Sequence, residues 1–529
     1  MADDRKRIAI IGAGISGLLA CKYALSKGFH PTVFEAQNGV GGLWNKTLST
    51  TKLQTPKTIF RFSDFQWPDS VTVEFPSHDQ VLDYLRGYAD HFCLSKHIKF
   101  NTKVLSINYK GVSEEGMEKW SLCGGKWEVE VSTAGGSSAR SEVYEADFVV
   151  LCLGKYSDVP HIPEFPPGKG PEAFQGRVIH SMEYSDLEAE EAKELVKGKK
   201  VAVVGFQKQA LETAMLCSEI NGKENPCRVL YRTEHWNIPD FQAWSFPLAK
   251  LYFNRFAELL IHKPGEGLFL RLLATILSPV RWAISKFVES DIKHRHQLAK
   301  HGMVPKHSFL QAITTCLVST VPEQFYDRVV DGSIMLKKAP SFSFCKEGIE
   351  VEDDENSVLE ADVVILATGF NGEKKLQDIF GSENCREVIA GDHPNAVVPL
   401  YRGCIPPRIP QLAVLGYSES FNNLFTSEMR GRWLAELLAG KFKLPAVKEM
   451  EEDAAEWDAY LKEYGGEFCK RSSVSAIHIW HNDQLCVDMG WKPRRKNGLW
   501  AELFEPYGPM DYVSPRPVTN FPTLRLCSS

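Results

Sequence analysis

Short apolar runs alternate with amphipathic stretches along this chain, and their spacing predicts a strand, a helix and a second strand near its start. Ile8, Ile10 and Ile11 form a run suited to a strand buried on both faces. Apolar residues over 18–25 predict a helix, and a second strand is predicted at 32–34. Val81, Leu85, Tyr88 and Phe92 recur at helical spacing behind Ser77, with Gln80 placed for a capping box. Residues 104–149 alternate in pieces, which predicts strands and a surface hairpin at the Gly/Ser-rich tip 135–138. Residues 147–154, DFVVLCLG, read as a buried strand ending in glycine, and a near copy, ADVVILATGF, stands at 361–370.

Two such strands so far apart predict one domain inserted in another. The chain leaves the first unit near Pro160 and returns near Ser357, giving 1–165, an insert over 166–356, and a resumed first unit over 357–529. The insert has its own strand-to-helix stretch, KVAVVGFQKQA at 200–210, and a further strand at 228–231. The fold class is therefore α/β, with two nested Rossmann-like dinucleotide-binding domains. An apolar helical segment covers 245–290; its longest uncharged run, 272–280, is about half of what crossing a bilayer requires. A buried or half-buried helix pair is predicted over 267–287, with association at a membrane surface as the alternative. Beyond it come a strand at 412–415, a turn, and a helix capped by Thr426 or Ser427 with Trp433, Leu434, Leu437 and Leu438 on one face. Residues 514–529 read as a loose tail.

The turns between these elements carry the chemistry. Gly12, Ala13, Gly14 and Gly17 fill a G-x-G-x-x-G turn between strand and helix, where backbone N–H groups and the helix N-terminus favour a pyrophosphate. Glu35 ends the second strand, where a carboxylate suits a ribose diol and repels a 2′-phosphate. A second glycine cluster, with Gly41, Gly42, Leu43 and Trp44, brings backbone and an aromatic wall toward a large ligand. In the insert, Gly205 and Ala210 flank the turn and Arg232 ends the second strand, an arrangement that suits a 2′-phosphate. Gln207 stands where the second glycine is expected, so its side chain should hold a pyrophosphate away from the backbone.

Composition narrows the classes. A length of 529 residues allows two or three domains, and 43% hydrophobic with 24% charged residues is ordinary for globular proteins. A net charge of −6 gives no reason to expect nucleic acid. The 13 cysteines include no C-x-x-C pair and no secretory signal precedes the first strand. This predicts a reducing, cytoplasmic setting, with the endoplasmic reticulum surface as the variant suggested by the apolar segment, and argues against a metal site or a dithiol redox pair. Cys21, Cys152 and Cys217 lie in apolar stretches and read as core.

Between the two turns, residues 174–184 read FQGRVIHSMEY. This matches F-x-G-x-x-x-H-x-x-x-[F/Y] and resembles the flavin-containing monooxygenases, in detail their plant members, over nearly the whole chain. The resemblance implies FAD on Gly12, Ala13, Gly14, Gly17 and Glu35, with Gly42, Leu43 and Trp44 along the flavin. It implies NADPH on Gly205, Gln207 and Ala210, with Arg232 and Thr233 near the 2′-phosphate and Thr368 and Gly369 linking the domains. Gln54 falls where many members place an asparagine over the flavin, and Asn423 is a second candidate facing flavin or substrate. Asn422 shares that turn, and Arg402 is a candidate for a substrate carboxylate, with a structural ion pair as the other reading. For His180 the structural reading is a hydrogen bond at the domain junction, and for Tyr184 it is packing.

The implied reaction inserts one oxygen of O2 into a nucleophile through a flavin C4a-hydroperoxide. Its substrate is a small amine, such as the cyclic amino acid pipecolate, with S-oxygenation of a thioether or N-oxidation of an alkaloid as alternatives. A non-enzymatic reading stands beside it: a flavoprotein whose NADPH turn has decayed through Gln207 and which acts as a binding partner.

Overall fold

In the computed structural model, which describes residues 6–111, 124–133, 140–352, 357–390, 398–468 and 472–513, two five-stranded parallel sheets dominate. The first runs Leu412–Val414, Phe148–Leu151, Arg7–Ile11, His30–Phe34, Ile98–Lys99 from edge to edge. The second runs Ile334–Lys338, Cys227–Tyr231, Val201–Val204, Val363–Leu366, Arg177–His180. Central strands are apolar throughout because both faces of each parallel sheet are covered; Val201–Val204 and Val363–Leu366 are buried at every position, with Ala202, Val204, Val364 and Leu366 packed on the small antiparallel sheet that carries Phe344 and Ile349.

One expectation is corrected here. The 361–370 copy does not return to the first sheet; Val363–Leu366 lies between Val201–Val204 and Arg177–His180 in the second. The insert therefore extends past 357, and the chain crosses back only after Gly369. The two copies match because each is the buried parallel strand that stands beside a glycine turn. The outgoing and returning connections run side by side: His161 N–H donates to Gly369 O (2.9 Å) and Asn371 N–H to Val159 O (2.8 Å).

The first helix, Ile15–Ser26, packs its apolar side against Asn423–Leu438, a helix buried along most of its length. Gly431 lies at the crossing, facing Leu19 and Tyr23. That second helix starts at Asn423, three residues before the predicted cap at Thr426; Asn422 is its N-cap without a side-chain hydrogen bond. The 104–149 region forms an antiparallel three-stranded sheet, Thr102–Lys110, Lys126–Thr133 and Arg140–Ala146. Its predicted tip at 135–138, like the tail at 514–529, lies outside the described residues. The capping box closes as read: Ser77 N–H donates to Gln80 Oε1 (3.0 Å) and Gln80 N–H to Ser77 Oγ (3.4 Å). Cys21, Cys152 and Cys217 are buried, and burial pushes the Cys21 thiol up to about 12.

Candidate functional site

Each parallel sheet ends in a glycine turn, and the two turns are built alike. Gly12 N–H donates to Phe34 O (2.8 Å) and adopts φ +103°; a Cβ on it would lie 2.4 Å from Cys152 O. Gly205 N–H donates to Leu230 O (2.8 Å) and adopts φ +135°; a Cβ on it would lie 2.4 Å from Ala367 O. In both, the glycine must pass close under the carbonyl that follows the neighbouring parallel strand, so no side chain is tolerated.

The first turn forms a cradle. A Cβ on Gly17 would meet Gly12 O at 1.8 Å, so the helix starts directly under the turn. Gly14 is the N-cap and offers no side chain to the helix N–H groups, leaving them free for an anion. Across from it, Gly42 adopts φ +57° with its own Cβ position 3.0 Å from Gly14 Cα, so the two glycines pack backbone on backbone. Gly41 N–H donates to Ala13 O (3.3 Å), tying the clusters together. Glu35 is buried at the strand end and accepts from Ala13 N–H (2.6 Å) and Gln37 N–H (2.9 Å), which fixes the carboxylate beside the turn. Beyond it an open cavity of about 540 Å³ is lined by Gln37, Asn38, Asn45, Lys46, His78, Leu82, Asn101 and Asp186. Trp44 packs edge-on to Phe60, centroids 6.3 Å apart, while Leu43 is exposed. Glycines wherever a Cβ would collide, free helix N–H groups and a fixed carboxylate fit a dinucleotide's pyrophosphate and ribose.

The second turn departs from that pattern at Gln207, where the second glycine would stand, and at Ala210, where the third would. Gln207 Nε2 donates sideways to Leu317 O (3.3 Å), so the amide is held against the 317–320 segment and leaves the helix N-terminus without a side-chain cap. Ala210 is buried and approaches the Gly205 position at 3.4 Å, filling the role of a third small residue. Arg232 is exposed at the end of Cys227–Tyr231, with Thr233 next to it and half-buried. These residues fit a second dinucleotide carrying an extra phosphate.

Thr368 and Gly369 stand at the crossing between the sheets. Thr368 Oγ1 donates to His161 O. His180 accepts from Met182 N–H at Nδ1 (3.2 Å), so Nε2 carries the proton and donates to Gly369 O (3.0 Å). Burial holds its imidazole below the ordinary histidine range, which agrees with a neutral ring. This histidine positions the crossing. Tyr184 is buried and packs in the second unit.

Other candidates are engaged elsewhere. Gln54 Oε1 accepts from Thr320 N–H (3.4 Å), so its carbonyl bridges the two units. Asn423 is exposed, and its Oδ1 accepts from Ser420 N–H (2.7 Å) within the turn. Asn422 is buried against His478, Nδ2 to Nε2 3.0 Å. Arg402 is an ion-pair centre, 2.7 Å from Asp453 and 3.0 Å from Asp488, so it does not wait for a substrate carboxylate.

Two constellations join residues far apart in the sequence to an i,i+4 ion pair on a helix. Thr51 Oγ1 donates to Glu212 (2.8 Å), and Lys208 Nζ reaches both Lys52 O (2.8 Å) and Glu212 (2.9 Å). The loop before Gln54 is thereby clamped onto the helix that starts at the second turn. Deeper in the first unit, buried Glu428 accepts from Ser63 N–H (2.9 Å), Ser63 Oγ (2.7 Å), Tyr23 OH (2.6 Å) and Arg432 Nη2 (2.8 Å). Burial alone would raise this carboxyl; Arg432 and these donors bring it below the ordinary range. Among the described residues no cluster of potential metal ligands occurs.

The family described as Flavin-binding monooxygenase-like matches residues 5–503. The chain is 42% identical over 522 residues to probable flavin-containing monooxygenase 1 of Arabidopsis thaliana, covering 96% of each. It is 26% identical to dimethylaniline monooxygenase [N-oxide-forming] 2 of Rattus norvegicus, over 92% of this chain and 83% of that protein. A crystal structure of OTEMO in complex with FAD and NADP shares the fold, with TM-score 0.65 and 18% identity over 91% of this chain and 98% of that one.

Proposed function

Because the chain belongs to the flavin-containing monooxygenase family, we propose that it hydroxylates the nitrogen of a small secondary amine, a cyclic amine or amino acid such as pipecolate. The chain is an FAD- and NADPH-dependent monooxygenase acting on a small molecule and O2. When bound, the flavin supplies the redox chemistry, taking hydride from NADPH and passing one atom of O2 to a nucleophile.

The chain's residues bind, orient and shield. The first turn and Glu35 suit FAD, whose ribose carries no extra phosphate; the second turn and Arg232 suit NADPH. The Thr51–Glu212 and Lys208–Lys52 contacts hold the two units together beside the Gln54 loop. An amine substrate attacks as its free base, so its nitrogen must arrive or become unprotonated.

The observation that carries this reading is the sideways hydrogen bond of Gln207 to Leu317 O. It leaves the second turn open to a pyrophosphate and disfavours a decayed site. Nitrogen as the target draws support from the N-oxide-forming name of the rat relative. Purified protein given NADPH, O2 and a panel containing pipecolate, other cyclic amines and thioethers is expected to yield hydroxylamine or N-oxide masses. Conversion of thioethers alone would reject the nitrogen reading, and a flavin left oxidised under saturating NADPH would reject monooxygenation.

A further inference from the structure

Arg430 stands two turns into the Asn423–Leu438 helix, 1% exposed, and among the described residues its guanidinium meets no carboxylate. Nη1 donates to Ser418 O (2.9 Å), Nη2 to Ser418 Oγ (2.9 Å) and Nε to His481 Nε2 (3.2 Å). Each partner is uncharged. Burial, and after it the cations Arg430 and Arg402, hold His481 well below the ordinary histidine range, so its ring is a neutral acceptor. Burial pushes the Cys404 thiol up to about 12, so it brings no negative charge either. All four carboxylates on this helix and on the His478–Asp488 helix packed against it are paired with other cations. Glu428 meets Arg432 (2.8 Å), Glu436 meets Lys27 (2.7 Å), Asp483 meets Arg255 (2.9 Å) and Asp488 meets Arg402 (3.0 Å). In the turn ahead of the helix, Glu419 faces Lys155 (3.5 Å). An arginine stays protonated inside a protein, and a buried charge without a counter-charge is strongly destabilising. The core therefore calls for an anion that the chain itself does not place there.

Two short routes lead from Arg430 to the first glycine turn. One runs through Ser418: a Cβ on Gly416, two residues earlier, would lie 2.7 Å from Oγ of Ser16, which belongs to the opening turn of Ile15–Ser26. The other runs through Gly403, where a Cβ would lie 3.2 Å from Arg430 Nε. Its neighbour Cys404 shares a core cluster with Cys152, whose carbonyl lies over Gly12. The two helices also run parallel. Leu19 faces Gly431, Tyr23 OH donates to Glu428 (2.6 Å) and Lys27 Nζ to Glu436 (2.7 Å), so the residue numbers rise together. Both helices thus start at the end where the cradle lies. A rise of about 1.5 Å per residue puts Arg430 about 10 Å below that end, with packed side chains between.

We propose that Arg430 is the buried counter-charge of the FAD pyrophosphate. The proposal rests on FAD in the first turn and is independent of which nucleophile receives the oxygen. Around that turn the direct anion donors are backbone N–H groups, which carry only the partial charge of a helix start. Arg430 adds a whole charge without touching the ligand, because a buried pair is screened far less than one in water. The dependence is mutual. Without the cofactor the first unit holds an unmatched cation in its core; with it, the charge is matched.

The test is release of FAD from the full-chain holoenzyme, followed on dilution as the rise of free-flavin fluorescence. Arg430→Gln keeps an amide donor toward Ser418 and loses the charge, Arg430→Met is a second neutral replacement with no polar group to satisfy, and Arg430→Lys keeps the charge in another shape. The neutral variants should raise the FAD dissociation constant roughly tenfold or more, and the lysine variant by less than about threefold. Denaturant midpoints measured at rising free FAD give the second readout. The gap between the parent and a neutral variant should widen as FAD rises, whereas a residue that only packs would leave it constant. A constant gap, parent-like affinity in both neutral variants, or equal losses in the lysine and neutral variants overturns the proposal. So does unchanged affinity for oxidised FAD with a lowered flavin midpoint potential, because the reduced ring would then be the partner.

Discussion

Gly205 lies beneath the carbonyl of Ala367, its Cβ position 2.4 Å from the oxygen, and Gly12 repeats the relationship with Cys152 at the same distance. Gly205→Ala forces either the turn or the neighbouring strand to move, and overpacking of this kind typically costs about 1–3 kcal/mol. The expected result is flavin retained at the parent ratio, with the apparent NADPH dissociation constant raised roughly ten- to hundredfold. Gly12→Ala should instead yield protein purified with little FAD. Absorbance per protein and stopped-flow flavin reduction distinguish the two.

Arg232 predicts coenzyme choice. Losing a charged hydrogen bond to the 2′-phosphate costs about 1.5–3 kcal/mol, so Arg232→Gln should raise KM for NADPH roughly tenfold or more while leaving KM for NADH within about twofold. Steady-state oxidation of both coenzymes measures this, and an equal loss for both would place the phosphate elsewhere.

Gln207 makes the reverse case. Its amide reaches Leu317 O and no backbone N–H of the helix start, so Gln207→Gly is expected to bind NADPH at least as tightly. Markedly weaker binding in a fluorescence titration would mean that the bond to the 317–320 segment shapes the turn.

The Glu428–Arg432 pair predicts a pH dependence. Its carboxyl sits below the ordinary value of 4.5 in the folded protein. The unfolded chain therefore takes up the proton first. The pair's contribution is present above about pH 4.5 and is lost as the pH falls through the lower, folded value. Glu428→Gln leaves Arg432 buried without its counter-charge, which should cost about 3–5 kcal/mol near neutrality and flatten the acid limb of a stability–pH curve measured by denaturant unfolding.

His180 titrates with the same sign through a different cause. Burial puts its folded value below 6.5, so its contribution is present above about pH 6.5 and lost as the medium acidifies. His180→Leu strands Gly369 O and Met182 N–H, and each lost partner costs about 1–3 kcal/mol. Thermal unfolding should shift down, with less pH dependence below about pH 6.5 than the parent shows.

What the sequence revealed and what it hid follow from the range of each interaction. The two glycine turns were legible because strand, turn, helix and acid are neighbours in the chain, and the collision that demands Gly12 is local to them. The 361–370 strand was misplaced because its apolar pattern reports burial between two neighbours, not which sheet supplies them. Gln207 could be flagged by position, but the direction of its amide depends on Leu317, more than a hundred residues away. The i,i+4 spacing of Glu428 and Arg432 is local, but their burial was invisible, because the partners Tyr23 and Ser63 come from distant stretches. The helix pair read at 267–287 is present, with two further short helices, Leu248–Tyr252 and Arg255–Leu259, ahead of it, yet its periodicity does not tell which face the rest of the chain would cover.

The placement of Leu412–Val414 at the edge of the first sheet has a consequence for synthesis. A nascent chain that has emerged through residue 366 holds all five strands of the second sheet, while the first sheet still lacks the strand that pairs with Val149–Leu151 and the Asn423–Leu438 helix that covers Ile15–Ser26. On the ribosome the second sheet therefore has all its strands before the one that opens the chain, and the first sheet closes only after most of the polypeptide has been made.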